Sequence, residues 1–215
     1  MHVHLAGECS HKCIYCYVDS KKFGRPVKYT GPLRLIEKEF NVQYGSGKTI
    51  FIENCNDLFA SDVPVDFINK ILEHCSRWPF NTYVFQTKNP IRFFDKNLIS
   101  FPPISMFGTT IETNREIDNI GNAPSPKQRY EAMLKFNKNQ STFITIEPVL
   151  DFDVDILAKW IYEIDPRFLN LGADSKNHNL PEPTIDKIHN LVAELHRYGI
   201  ELREKHNLKR LMNIK

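Results

Sequence analysis

Three of the five cysteines crowd into eight residues, as Cys9-Ser-His-Lys-Cys13-Ile-Tyr-Cys16. Thiolates at such short spacing wrap a single metal centre, and iron–sulfur clusters are held by cysteine sulfur. Three cysteines leave one iron of a four-iron cluster without a protein ligand. An open coordination position is what chemistry at a metal requires. The alternative is a zinc site completed by His11 or by a distant histidine. Structural zinc usually draws on two separated ligand pairs, and the chain has no second C-x2-C or H-x3-H pair. Cys55 and Cys75 are too few for a second cysteine-only cluster. An odd, clustered set of cysteines points to a reducing compartment, so a cytoplasmic location is expected.

The elements that must position these thiols alternate. Short β-branched or aromatic runs at 2–6, 49–54, 81–88, 105–112, 141–149 and 168–174 read as strands. Helical patterns near 31–43, 64–77, 91–98, 126–138, 153–164 and 184–206 lie between and after them. Ser125 is a suitable N-cap before Pro126. Six strand–helix alternations predict a parallel sheet with right-handed crossovers. The expected fold is α/β, a partial (βα)6 barrel open on one side, since a closed TIM barrel needs eight units. The 215 residues read as one domain without a linker or repeat, and 113–125 as a long surface loop. Polar residues gather where the strands end: Glu53 and Asn54, Gln86 to Lys88, Thr109 to Glu112, Glu147, and Asp174. In parallel α/β folds that edge carries the site.

C-x3-C-x2-C with Tyr15 inside it, directly after a first strand, resembles the signature of radical S-adenosylmethionine (SAM) enzymes. The six βα units resemble their partial barrel. The resemblance implies that a [4Fe–4S] cluster on Cys9, Cys13 and Cys16 binds SAM and cleaves it reductively to a 5′-deoxyadenosyl radical. A flavodoxin- or ferredoxin-like partner would supply the electron. The stretches Glu53 to Pro64, Thr87 to Pro90, Ala123 to Arg129 and Thr145 to Pro148 resemble the branch of spore photoproduct lyase and, more closely, phage-associated relatives of it.

That resemblance assigns candidate contacts to SAM. Glu53 and Asn54 stand where the superfamily contacts the amino group, although the usual glycines are missing here. Lys88 stands where the carboxylate is met, as a cation suits. Thr110 and Glu112 stand where the ribose is held, and Glu147 would face the same cavity. Tyr15 belongs to the cluster loop. Cys55 lies where the lyase keeps a hydrogen-atom donor; a small core residue is the alternative. Lys88 and Glu147 also read as ordinary strand-end charges.

Other features carry less. His2 and His4 alternate on one face of the first strand and read as structural. Gly45-Ser-Gly-Lys48 lacks the full phosphate-loop pattern. The basic end from Arg197 to Lys215 would meet phosphates or form a solvated face. A net charge of +2 neither demands nor excludes nucleic acid. No apolar run approaches the ~20 residues of a membrane span, and no signal peptide is visible. The combined expectation is a SAM-dependent radical enzyme acting on a bulky nucleic acid or protein. The rival is a non-enzymatic zinc or iron–sulfur module.

Overall fold

The structure, a computed structural model, describes residues 2–18, 27–176 and 178–212. The chain divides into two compact units: residues 1–108 with 121–123, and residues 109–120 with 124–215.

In the first unit, β1 (Leu5–Ala6) pairs antiparallel with β2 (Arg34–Leu35). Then come β3 (Thr49–Ile52), α1 (Val65–Ser76), β4 (Thr82–Thr87) and most of β5 (Ser105–Thr110). Helix α1 buries Ile68, Ile71, Leu72 and Cys75, a stripe at 3- and 4-residue spacing. Cys75 is core, as its helical setting predicted. Tyr83, Val84 and Phe85 are consecutive and all buried, as a strand covered on both faces must be.

The second unit contains α2 (Pro126–Met133), β6 (Ser141–Ile146), α3 (Val154–Ile164), β7 (Phe168–Leu171), α4 (Ile185–Arg197) and β8 (Leu202–Glu204). Its core joins Ile144 and Ile146 of β6 to Leu157 and Ile161 of α3 and to Ile188 and Leu191 of α4. Ser125 caps α2 as anticipated, in a reciprocal capping box with Gln128.

The main sheet has six strands in the order β3-β4-β5-β6-β7-β8. Pairing is parallel for β3–β4, β6–β7 and β7–β8. The order runs sequentially and does not close on itself, so the α/β class with six parallel strands stands and no closed barrel forms. Among the described residues no helix is long and apolar enough to cross a membrane.

The six strands are not the six expected. The run at 2–6 contributes one parallel bridge, His2 to Ile52, and then turns to pair with β2. Its place in the count is taken by β8, inside the stretch predicted as the end of a long helix. That helix stops because Gly199 turns left-handed (φ +74°), with the Ile200 amide returning to the Leu195 carbonyl at 3.0 Å. The helix expected at 31–43 does not form either. Gly31 turns left-handed (φ +71°), Arg34 and Leu35 pair with β1, and the Ile36 amide bonds across to the His4 carbonyl at 2.7 Å, leaving a 3-10 turn over Glu37–Asn41. The helix expected at 91–98 shrinks to a 3-10 turn, Pro90–Phe94. The 105–112, 141–149 and 168–174 runs end as strands at Thr110, Ile146 and Leu171, so most of their polar ends lie in loops.

Candidate metal centre and its surroundings

The cysteine loop lies in the first unit and is tied down from several directions. At its start, Gly7 has φ +102°, and a Cβ there would stand 2.5 Å from the Pro32 carbonyl oxygen. The Gly7 and Glu8 amides donate to Lys28 and Gly31 carbonyls at 2.9 Å each, while Asn56 Nδ2 donates to the Gly7 carbonyl at 3.0 Å. Within it, Lys12 adopts φ +46° and the Cys16 amide closes a turn onto the Cys13 carbonyl at 3.0 Å. The 113–125 loop also reaches it. Asn122 donates its amide to the His11 carbonyl at 2.6 Å and its side chain to the Ser10 carbonyl at 3.1 Å.

Cys9, Cys13 and Cys16 line one concavity with Lys12, Val18, Tyr29 and Cys55. Burial, with the Asp57 charge adding to it, pushes the Cys9 thiol up to about 12, against hydrogen bonds from the His11 and Asp57 amides. A thiolate there calls for a compensating cation, which iron supplies. Among the described residues no three His, Cys, Asp or Glu side chains converge as ligands of a single metal ion. The donor set, three thiols on one short loop, fits an iron–sulfur cluster. The histidine weighed as a zinc ligand, His11, is buried, and its Nε2 stands 2.8 Å from Asp57 Oδ2.

Asp57 is the feature that sequence reasoning missed. Its Oδ1 accepts from Thr87 Oγ1 at 2.7 Å and from the Phe59 amide at 3.0 Å. Its Oδ2 accepts from the Lys88 amide at 2.7 Å and faces His11. Burial raises the pKa of this carboxyl, but the bonds from His11, Thr87 and Lys88 outweigh it and hold the pKa below the ordinary value. The only signal in the sequence was a carboxylate just past a strand end with no cation at helical spacing.

Tyr15 and Lys88 meet: Lys88 Nζ donates to the Tyr15 hydroxyl at 2.7 Å and stands 4.8 Å from the ring centre. Asn54 and Cys55 are half-buried beyond β3, the Cys55 thiol donating to Asn54 Oδ1 at 3.3 Å. The Tyr17 hydroxyl donates to the Asn54 carbonyl at 2.6 Å and lies 3.4 Å from Cys55 Sγ; Tyr29 lines the same concavity as that thiol. Two tyrosines flanking that cysteine were not foreseen. Glu53 turns inward. It is 2% exposed with φ +59°, and its Oε1 accepts from the His4 and Leu5 amides. His4 Nδ1 is 3.3 Å from that oxygen, and His4 Nε2 meets the Tyr44 hydroxyl at 2.7 Å. The side chain therefore fastens β1 to β3, and His4 is structural, as expected.

In the second unit, Thr110 ends β5, and Glu112 is fully buried against Arg129, with Nη2 to Oε2 at 2.8 Å. Arg129 also donates to the Thr110 and Pro124 carbonyls. Glu147 follows β6, accepting from Asn207 Nδ2 at 2.7 Å with Lys205 Nζ at 3.7 Å. Past β7, Asp174 Oδ1 holds His178 Nδ1 at 2.7 Å. In the basic end, Arg197, Arg203 and Arg210 already face Glu194, Glu201 and Glu182. This is the paired, solvated face rather than an open phosphate patch; Lys215 lies outside the described residues.

No protein-family model and no curated protein matches the chain. Solved structures do. Spore photoproduct lyase with bound AdoMet and dinucleoside spore photoproduct aligns with a TM-score of 0.55 and 14% identity, over 91% of this chain and 60% of that one. A variant of the same lyase aligns with 0.63 and 12% identity, over 94% and 76%. Streptococcus suis SuiB bound to S-adenosylmethionine aligns with 0.65 and 9% identity, over 97% and 51%. The chain thus spans about three fifths of the first of these and about half of SuiB. With six parallel strands in sequential order and three thiols on a loop past β1, the chain has the fold of the radical SAM enzymes.

Proposed function

We propose that the chain is a radical SAM enzyme whose Cys9, Cys13 and Cys16 hold a [4Fe–4S] cluster. The observation that carries this is the shared concavity of the three thiols on a loop anchored from both ends, within a fold shared with SAM-bound enzymes. When bound, the cluster supplies the electron that cleaves SAM to methionine and a 5′-deoxyadenosyl radical. A flavodoxin- or ferredoxin-like donor would provide it, in the cytoplasm.

The chain's own residues bind and orient. Lys88 offers a cation to the SAM carboxylate, with Tyr15 fixing its ammonium. Asn54 offers an amide beside the cluster loop, and Thr110 a hydroxyl for the ribose. Glu53 holds the β3 end that carries Asn54, and Glu112, through Arg129, the β5 end that carries Thr110; Glu147 carries a further carboxylate past β6, held by Asn207. Cys55, whose S–H is weak and which Tyr17 and Asn54 hold beside the cysteine loop, serves as hydrogen-atom donor to a substrate radical. Residues 1–215 act as one core domain without a second cluster. The substrate is a bulky nucleic acid or protein. A neighbouring lyase is complexed with dinucleoside spore photoproduct and SuiB with precursor peptide SuiA, which supports either class.

The test is anaerobic reconstitution with iron and sulfide, reduction by dithionite, and assay of 5′-deoxyadenosine from SAM. Wild type and Cys55→Ala should form it, because Cys55 acts after SAM cleavage. Cys13→Ala should lose at least a hundredfold. One zinc per chain and no 5′-deoxyadenosine would establish the metal-module reading instead.

A further inference from the structure

We infer that Asp57 is a positioning residue that sets the cysteine loop and the Lys88 strand end in one register. The inference rests on the function proposed above. Asp57 is 8% exposed, and its carboxylate bonds both the cysteine loop and the end of β4. Toward the loop, its Oδ2 meets His11 Nε2 at 2.8 Å, while its backbone amide donates to Asn56 Oδ1 at 3.1 Å, and Asn56 Nδ2 holds the Gly7 carbonyl at 3.0 Å. Toward β4, the same Oδ2 accepts the Lys88 amide at 2.7 Å, and Oδ1 accepts Thr87 Oγ1 at 2.7 Å. The Phe59 amide, 3.0 Å from Oδ1, fixes the carboxylate plane.

One oxygen thus joins the two parts that must cooperate: the loop that carries the cluster and the backbone that carries Lys88. Lys88 in turn reaches back to Tyr15, inside the same loop, at 2.7 Å. The circuit runs His11–Asp57–Lys88–Tyr15 and begins and ends on the cysteine loop. A buried carboxylate accepting several charge-assisted or amide bonds is strong and directional. Groups behind metal ligands commonly fix their orientation in this way. His11 is the loop's contact in this circuit, with its ring turned to Asp57 and its carbonyl held by Asn122 at 2.6 Å.

Asp57→Asn discriminates between the two oxygens. With its carbonyl at the Oδ1 position it still accepts from Thr87 and Phe59, while its NH2 opposes the Lys88 amide. His11→Gln removes the loop contact alone. Three quantities would be measured on the full-length chain: backbone amide exchange of residues 9–16 without metal, iron bound per chain after reconstitution, and the SAM concentration giving the half-maximal change in the reduced cluster's EPR spectrum. With helical circular dichroism unchanged, Asp57→Asn should speed exchange in the loop at least tenfold and raise the SAM half-point at least tenfold. His11→Gln should speed exchange and leave the SAM half-point within threefold. Exchange and SAM half-point both within twofold of wild type in Asp57→Asn would overturn the inference. Should Asp57→Asn lose its helical signal, His11→Gln decides on loop exchange alone. If wild type itself binds no iron, the proposed function fails, and the metal-free exchange result still judges the role of Asp57.

Discussion

A carboxylate just past a strand can face a ligand or face its own backbone, and Glu53 shows what decides. The left-handed turn at φ +59° swings its side chain under the strand end, where two amides and His4 take it up. Burial raises its pKa, with the His4 ring and the His4 and Leu5 amides acting in the opposite direction. An acid whose folded-state pKa exceeds its unfolded value of about 4.3 gives stability that is complete below that value. The stability is lost as pH rises through the folded pKa. Glu53→Gln abolishes that titration while keeping an acceptor. Urea unfolding from about pH 4 to 7 should therefore show wild type losing ground to the variant as pH rises. A difference that is flat or grows in favour of wild type would refute the assignment. The cysteine spacing was legible because it is a local pattern along the chain. Asp57 was not, because His11 and Thr87 come to it from 46 and 30 residues away.

Elements follow local rules until tertiary contacts compete for their backbone groups. α1, α3 and α4 form where apolar residues recur at helical spacing, and side-chain caps from Ser125 and Thr184 start α2 and α4. The predicted helix at 31–43 fails because β1 takes up the backbone groups of its first half, through the pairing with Arg34 and Leu35 and the bond from the Ile36 amide to the His4 carbonyl. The 113–125 loop was legible as a loop but not as a brace for the cysteines. Gly121 shows the brace most sharply. Its φ is +145°, and a Cβ would fall 2.7 Å from the His11 carbonyl oxygen and 3.0 Å from Cys13 Cα. Gly121→Ala must displace the loop, and bound iron after reconstitution should fall several-fold with helical content unchanged. Gly47→Ala is the control. That glycine also has positive φ (+71°), but nothing lies within 4 Å. It should cost only about 1–2 kcal/mol of stability and keep its iron.

At the scale of the molecule, Cys9, Cys13 and Cys16 all belong to one of two compact units. A cluster that binds only the folded loop stabilises that unit by mass action. The two tryptophans divide between the units: Trp78 lies in the first, and Trp160 lies in the second, stacked on Tyr130 at 4.6 Å. Trp160→Phe leaves fluorescence reporting the first unit, and Trp78→Phe the second. Loading the cluster should raise the first unit's thermal midpoint by several degrees, about 4–8 °C for each kcal/mol gained. The second unit's midpoint should move less. A larger shift reported by Trp160 would contradict this placement of the cluster.

The sequence by itself determined the cysteine motif, the α/β class, five of the six strands of the main sheet and the gathering of polar groups past the strand ends. Each depends on spacing or periodicity along the chain, which short-range sterics translate into structure. The tertiary structure alone decided which strand completes the sheet, which way each strand-end carboxylate turns and what holds the cysteine loop. Those choices come from buried hydrogen bonds between distant residues. Burial makes an unmade bond costly, so the fold selects partners that no local pattern announces.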